Sequence, residues 1–184
     1  QSDYPLTERG RAQARALAER WQSEAMKFDL VIASPLGRAK ETAQIIASAL
    51  NVKVELDPIW LERHIGEMEG LTAEEVRQKP QPPYVTPYNS IGGNGEGDWE
   101  LYLRAGKALH ELLHRPPGSY LVVSHGGMLN QLMHAIVGIA HQPDPSGVRF
   151  HFENTSFARV IYFPHRHRWA IDAVNDRAHL KSLK

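Results

Sequence analysis

A continuous apolar run that ends in polar residues and glycines constrains the fold of this chain more than any other stretch. Residues 121–123, Leu-Val-Val, predict a strand covered on both faces, because no polar residue interrupts them. His125 follows this strand, and Gly126 opens a Gly-Gly pair that leads into a helix predicted over residues 128–138. In open α/β sheets, ligands bind beyond the carboxyl ends of strands, where helix N-termini attract anions. We therefore expect His125 to contact an anionic ligand, and a polar residue that merely caps a strand end is the alternative.

A second junction of the same kind lies earlier in the chain. Residues 30–33, Leu-Val-Ile-Ala, predict a short buried strand, and apolar residues at helical spacing predict a helix that extends to Leu50. Arg38 lies within about one turn of the start of this helix, where its charge opposes the helix macrodipole unless an anion joins it. Because a guanidinium binds phosphate or carboxylate bidentately, Arg38 is predicted to hold an anion. A solvated surface arginine is the alternative.

A charged loop supplies the third candidate. Residues 61–70 contain two glycines and five ionisable side chains, and they have no helical or strand period. They follow a strand predicted over residues 52–56, and loops held on a rigid scaffold often carry chemistry. Parallel strands end at one edge of a sheet, so Glu62 can converge there with Arg38 and His125. A charged, solvated turn is the alternative for this segment.

These three side chains together suit phosphoryl transfer. An arginine and a protonated histidine beside helix N–H groups would neutralise a phosphoryl dianion. A nearby carboxylic acid can protonate a departing alkoxide and then accept a proton from water. Positioning and charge stabilisation supply nearly all of the catalysis in such reactions.

Three further helices are predicted from their capping residues. Thr7 is a good N-cap for a first helix with an apolar face, and Thr72 with Glu75 forms a capping box that opens a short helix. Asp98 is predicted to cap a longer helix whose apolar residues face inward.

The C-terminal part of the chain predicts strands. Residues 148–152 alternate in period two and predict a half-buried strand, and residues 157–163 and 169–174 predict a hairpin. Alternating strands and helices followed by a hairpin indicate a layered α/β fold.

One long stretch has no predicted element. Residues 80–97 contain four prolines and four glycines, which is typical of a lid, a binding loop or a disordered segment. Neither flank resembles a self-sufficient domain, so we expect one domain over residues 1–184.

Composition excludes several classes of function. The formal net charge is zero, so no overall attraction to nucleic acid or to a membrane surface is expected. The chain has no cysteine, which excludes thiolate metal sites and a cysteine nucleophile and is expected of a cytoplasmic protein. No apolar run approaches the ~18 residues of a membrane span. His165 and His167 have no carboxylate or third histidine nearby in sequence, so we expect no metal site there.

Five short motifs run in order along almost the whole chain. They are Pro5-Leu6-Thr7 with Gly10 and Gln13-Ala14; Ser34-Pro35-Leu36 with Arg38-Ala39 and Thr42-Ala43; Leu61-Glu62-Arg63 with Gly66 and Glu69-Gly70; Ser124-His125-Gly126-Gly127; and Asn175-Asp176 with His179-Leu180. Together they resemble the histidine phosphatase superfamily, also called the phosphoglycerate mutase-like family. The resemblance implies a three-layer α/β/α sandwich with a mostly parallel central sheet.

The resemblance also implies roles for the candidate residues. Arg38 corresponds to a phosphate-pocket arginine, His125 to the second histidine of the pocket, and Glu62 to the proton donor. Arg63 and Gly126 join them as substrate-binding residues. The implied reaction passes through a phosphohistidine, with neither a metal nor a cofactor, and its ligand is a small phosphorylated metabolite or inorganic phosphate.

The nucleophile of the family belongs to an Arg-His-Gly motif on the first strand, ahead of the Pro-Leu-Thr segment. We therefore expect that strand to precede Gln1, and the 184 residues to be part of a larger active protein. Without that strand the expected sheet would have a gap in its middle, which exposes backbone groups. A truncated or inactive relative that only binds phospholigands is the alternative.

The leading functional hypothesis is a phosphatase that hydrolyses phosphomonoesters of small metabolites. A phosphoglycerate mutase is the rival, because mutases of the family carry a Glu-Arg-His run like residues 62–64. The segment between this loop and Arg104 has few cationic side chains, which disfavours retention of a carboxylate-bearing substrate. Oligomeric state stays open, a dimer included.

Overall fold

The computed structural model describes residues 3–79, 86–140 and 147–183. Within these ranges the chain forms five α-helices and five strands, joined by loops and short 3₁₀ turns. In chain order they are α1 (Glu8–Ser23), β1 (Leu30–Ala33), α2 (Gly37–Leu50), β2 (Val54–Leu56), α3 (Ala73–Gln78), α4 (Asp98–Leu113), β3 (Tyr120–Val123), α5 (Gly126–Val137), β4 (Phe157–Phe163) and β5 (Arg168–Asp176). None of the helices in the described ranges combines the length and the apolar character needed to cross a bilayer.

A three-stranded parallel sheet forms the centre of the molecule. Its order is β2-β1-β3, and Val31 of β1 is in register with Val54 of β2 and with Leu121 of β3. Side chains alternate between the two faces of a strand. Val31 therefore packs towards α2, whereas the next residue, Ile32, packs towards α4 and α5 on the opposite face.

Helices cover both faces of this sheet. On one face α1 packs against α2, and Trp21 makes edge contacts with Phe28 and Phe157 at ring-centroid distances of 5.2 Å. On the other face α4 packs against α5, where Leu101 and Met128 are fully buried. This arrangement confirms the predicted α/β/α sandwich with a mostly parallel central sheet.

The predicted hairpin is present as β4 and β5, and it forms a second, antiparallel sheet. Arg20 of α1 fixes its last strand, because the guanidinium donates to both carboxylate oxygens of Asp176 at 2.7 and 2.9 Å. The same guanidinium lies over the ring of Phe157. Within the described residues β3 pairs with β1 alone and β4 pairs with β5 alone, so two separate sheets stand where one was expected.

The predicted caps are correct for two helices and wrong for a third. Thr7 accepts a hydrogen bond from the Gly10 N–H at 3.1 Å, and Thr72 forms the predicted capping box with its partner. Asp98 is not the N-cap of α4, because Gly97 occupies that position. Asp98 is the first helical residue, and its carboxylate pairs with Arg63 instead.

Helix α5 begins two residues earlier than predicted. Its N-cap is His125, whose carbonyl accepts the first helical hydrogen bond from Leu129 at 2.9 Å. Gly126 and Gly127 therefore form the first turn rather than a linker. The helix ends at Val137, and its C-cap is Gly138, whose φ of 73° lies in the left-handed region that glycine adopts readily.

The strand predicted over residues 148–152 is absent from this part of the described structure. Side chains of α5 bind the backbone groups that a neighbouring strand would otherwise bind. Asn130 accepts from the Phe150 N–H at 2.8 Å, and His134 contacts the carbonyl of Val148 at 2.7 Å. His134 is buried for the same reason.

Part of the Pro/Gly-rich stretch packs against the Glu62 loop, by which we mean residues 61–69. Residues 80–85 lie outside the described ranges. Further on, the Glu67 N–H donates to the carbonyl of Gly92 at 2.9 Å, and the Glu96 N–H donates to that of His64 at 2.6 Å. Gly92 has a φ of 57°, and a Cβ there would collide with the Ile65 carbonyl.

Two leucines of α4 test which face of this helix packs against the sheet. Leu101 is fully buried between α4 and the sheet, whereas Leu103 is 53% exposed. We expect Leu101→Ala to lower the free energy of unfolding by about 3 kcal/mol through a buried cavity. Leu103→Ala changes helix propensity equally and should stay within about 0.5 kcal/mol of the parent. Urea unfolding measures both, and equal losses would contradict the packing described.

Candidate functional site

The ends of β1 and β3 meet through two buried polar side chains. Ser34 follows β1 and is 0% exposed, and His125 follows β3 and is 7% exposed. The Nε2 atom of His125 lies 2.8 Å from the Ser34 Oγ atom, which also accepts from the Leu36 N–H at 3.3 Å. The imidazole is therefore held in one orientation at the shared edge of the sheet.

Glu62 reaches the first turn of α5. Its carboxylate accepts from the Arg63 N–H at 2.8 Å and from the Gly127 N–H at 3.2 Å. A Cβ at Gly127 would lie 2.5 Å from a Glu62 oxygen, so only glycine permits this approach. The contact therefore holds the Glu62 carboxylate against the first turn of the helix that His125 caps.

Arg38 is the second residue of α2, at the helix N-terminus that follows β1. The N-cap residue Leu36 offers no side-chain acceptor to this helix end. The carboxylate of Asp3 accepts from the Gly37 N–H at 2.7 Å in its place. An anionic group thus lies at the helix end where the sequence predicts one to bind.

The charged groups near His125 change its pKa. Burial, followed by the positive charges of Arg38 and Arg104, lowers the pKa of His125 from 6.5 to about 4. The negative charges of Glu62 and Asp3 oppose this shift. His125 is therefore neutral near neutral pH, and the structure brings Arg38, Glu62 and His125 into one electrostatic environment.

The other two predicted site residues lie in the same region. Gly126 begins α5 directly after His125. Arg63 lies beside Glu62, and its guanidinium pairs with Asp98 at the start of α4. Substrate contacts by Gly126 and Arg63 stay predictions.

Sequence reasoning assigned no role to three residues that the structure brings to this region. Ser34 contacts His125, Asp3 contacts the start of α2, and Arg104 contacts backbone carbonyls of the Glu62 loop. One signal was available for Arg104, since it lies beside Ala105 on the apolar face of α4, three residues after the fully buried Leu101. No local pattern marked Asp3.

A cavity of about 350 Å³ adjoins the Glu62 loop. Its wall includes Leu61 and His64, which flank Glu62, together with Glu96 and Arg104. Arg38 and His125 do not line it, whereas Arg104, whose charge acts on His125, does. In the described ranges no three histidine, aspartate or glutamate side chains are grouped to hold a metal ion.

Comparison with known proteins decides the family. The sequence matches the family model of the histidine phosphatase superfamily (branch 1) over residues 1–177. The chain belongs to the histidine phosphatase superfamily. This confirms the resemblance that the five motifs indicated.

Individual members of the superfamily resemble this chain over nearly its whole length. The probable phosphoglycerate mutase GpmB of Photorhabdus laumondii is 36% identical over 192 residues, which covers 98% of this chain and 85% of that protein. The solved structure of Bacillus stearothermophilus YhfR has a TM-score of 0.81 and 28% identity, covering 97% of this chain and 88% of that one. The alpha-ribazole phosphatase of Shigella flexneri has a TM-score of 0.78 and 25% identity, covering 96% and 87%.

The environment of His125 predicts a pH dependence of stability. Because its pKa is about 4 in the folded protein and 6.5 ordinarily, unfolded molecules bind a proton between these values while folded molecules do not. The free energy of unfolding should therefore fall as the pH drops from 6.5 to 4, by on the order of 3 kcal/mol from this residue. His125→Gln removes the titrating group and should flatten that part of the profile. Urea unfolding across this pH range measures it, and unchanged slopes would contradict the prediction.

Proposed function

We propose that this protein is a phosphatase that hydrolyses phosphomonoesters of small metabolites through a phosphohistidine intermediate. The observation that carries the proposal is the shared environment of Arg38, Glu62 and His125 at the carboxyl ends of parallel strands. Membership of the histidine phosphatase superfamily supports it. The names of two relatives, a probable phosphoglycerate mutase and an alpha-ribazole phosphatase, agree with a phosphorylated substrate.

The pocket residues would bind the phosphoryl group as a tetrahedral anion. The guanidinium of Arg38 donates to two phosphoryl oxygens, and the N–H group of Gly126 at the start of α5 adds a donor. A bound dianion raises the pKa of His125, which burial and Arg38 keep low in its absence. Inorganic phosphate, the product, would bind the same groups. Arg63 pairs with Asp98 through one of its guanidinium nitrogens, and its other N–H groups can add a contact.

The first chemical step transfers the phosphoryl group to the nucleophilic histidine. A neutral imidazole nitrogen of that histidine attacks phosphorus, and the bond from phosphorus to the ester oxygen breaks. The proton of the Glu62 carboxylic acid moves to the departing oxygen, which leaves as an alcohol. Arg38 and His125 stabilise the charge that develops on the phosphoryl oxygens.

The second step releases phosphate. Glu62, now a carboxylate, accepts a proton from a water molecule whose oxygen attacks phosphorus. The phosphorus–nitrogen bond breaks and returns a neutral imidazole together with inorganic phosphate. Glu62 ends protonated, so the cycle is complete.

The nucleophilic histidine itself is proposed to lie on a strand that precedes Gln1 and pairs with the edge of β3. Within the described residues β3 and β4 each have one strand neighbour. Leu121 of β3 and Phe157 of β4 nevertheless pack in the same apolar cluster. A strand between them would join the two sheets and complete one domain with residues 1–184.

A phosphoglycerate mutase is the second candidate, favoured by the relative that carries this name. A mutase has to retain a carboxylate-bearing substrate while it reorients. Only Arg77 and Lys79 are cationic between residues 71 and 103. Arg77 pairs with Glu74, and Lys79 lies 3.8 Å from a carboxylate oxygen of Glu67. Hydrolysis is therefore the better-supported reaction.

Product analysis tests the proposed function. The protein made from its complete coding sequence is incubated with phosphoglycerate, with and without a bisphosphoglycerate primer. Release of inorganic phosphate without the primer supports a phosphatase, whereas primer-dependent isomerisation overturns it in favour of the mutase. Absence of turnover with retained phosphate binding would instead indicate a module that binds phospholigands.

Arg38→Ala and His125→Ala test the pocket. Each removes a group that stabilises charge on the phosphoryl oxygens, so each should reduce kcat/KM by about 10²-fold, or about 3 kcal/mol. Arg166→Ala is the matched control, because this arginine is exposed at the hairpin tip, and its activity should equal that of the parent. An equal loss of kcat/KM in Arg166→Ala would contradict the assignment of Arg38 and His125 to the pocket.

Glu62→Gln tests the proton donor. Alkyl phosphates have poor leaving groups and need the proton, whereas nitrophenyl phosphate has a good one. The variant should lose about 10²-fold or more in kcat on an alkyl phosphate and much less on nitrophenyl phosphate. Equal losses on both substrates would count against the role.

A further inference from the structure

Arg104 of α4 makes an unusually complete set of contacts beside the candidate site. An arginine has five N–H donors in a fixed fork. Its Nη1 atom donates to the carbonyls of Ile59 and Leu61 at 2.8 and 2.7 Å, and its Nη2 atom donates to that of Glu62 at 3.2 Å. Its remaining donors bind both carboxylate oxygens of Glu96 at 2.7 and 2.6 Å. Three of these bonds thus hold the chain that enters and forms the start of the Glu62 loop, and the other two hold Glu96.

The contacts hold Glu62 from two sides. Arg104 binds its backbone carbonyl, and the Gly127 N–H at the start of α5 binds its carboxylate at 3.2 Å. Glu62 therefore links α4, through its backbone carbonyl, to α5, through its carboxylate, and these two helices cover one face of the sheet. Loss of the Arg104 anchor would let the backbone of the loop shift at Glu62, and a displacement of about 1 Å can cost 10²-fold in rate.

Glu96 keeps Arg104 in this place. The side chains of Arg104 and Glu96 are only 21% and 16% exposed, so both charges are largely removed from water. Such a pair adds little net stability over apolar residues of similar size, because desolvation offsets the attraction. Glu96 also donates its own N–H to the His64 carbonyl at 2.6 Å. It therefore contacts the Glu62 loop directly as well as through Arg104. The pair fixes geometry more than it stabilises the fold.

We propose that Arg104, held by Glu96, is the positioning residue that aims the Glu62 carboxyl group at the leaving oxygen of the substrate. It acts through Glu62 and does not touch the substrate. The inference rests on the proposed function, since it assigns a support to the proton donor of that reaction. It predicts that loss of Arg104 mimics loss of the proton donor while the phosphate pocket keeps its affinity.

The test compares two substrates in one protein. Arg104→Met removes the fork at similar volume, and Arg104→Lys keeps a positive charge beside Glu96 but cannot span the three carbonyls. For both variants the ratio of kcat on glycerol phosphate to kcat on nitrophenyl phosphate should fall by about tenfold or more. The same folded molecules turn over both substrates, so this ratio is insensitive to partial unfolding. An unchanged ratio in either active variant overturns the proposal.

Two further variants separate the possible failures. Glu62→Gln alone should lower the same ratio, and adding Arg104→Met to it should lower the ratio no further, because both changes affect one proton transfer. If Glu62→Gln leaves the ratio unchanged, the proposed function fails. If Glu62→Gln lowers it and the Arg104 variants do not, only the positioning role fails.

Arg115→Met is the matched control for loss of a paired arginine. Arg115 follows the C-terminal end of the same helix and pairs with Glu55, away from the Glu62 loop. This variant should have the substrate ratio of the parent, whatever its effect on thermal stability. A ratio lowered as much as in Arg104→Met would show a general effect of disturbing α4 and overturn the proposal.

Discussion

The parallel, in-register pairing of β1 with β3 is the constraint on which the rest of the site depends. Ala33 of β1 lies opposite Val123 of β3, so both strands end level at one edge of the sheet. Each strand is followed within a few residues by a helix, and the N-termini of α2 and α5 therefore point at the same region. The contact between Ser34 and His125 is a direct consequence of this register. A shift of one residue would turn every side chain of the strand to the other face.

Backbone groups also position the charged side chains at this edge of the sheet. The Glu62 carboxylate binds N–H groups at 2.8 and 3.2 Å, and Arg104 binds the backbone of the same loop. His125 stays neutral because it is buried beside the positive charge of Arg38. Such preorganised dipoles and charges need little reorganisation when an anion arrives. We propose that this polarised region binds a tetrahedral anion.

Much of the fold, and the approach of Arg38 and Glu62 to His125, could be predicted from the sequence, because strands and helix starts depend on local patterns. The apolar run before His125, the strand before Arg38 and the capping box at Thr72 each specify their structure within a few residues. The strand predicted over residues 148–152 was wrong because side chains of α5, distant in sequence, bind its backbone. The contacts of Arg104 could not be predicted either, since they join segments more than forty residues apart in the chain.

The central claim is that Arg38, Glu62 and His125 line one basin that binds a phosphoryl-like anion. Titration of isotope-labelled protein with inorganic phosphate, followed through backbone amide NMR signals, tests it most directly. We expect the signals of Arg38, Arg63 and Gly127 to shift together along one binding curve, because their N–H groups lie at the helix ends and at the Glu62 carboxylate that border the basin. Shifts at only one of these places, or curves with different affinities, would contradict the account.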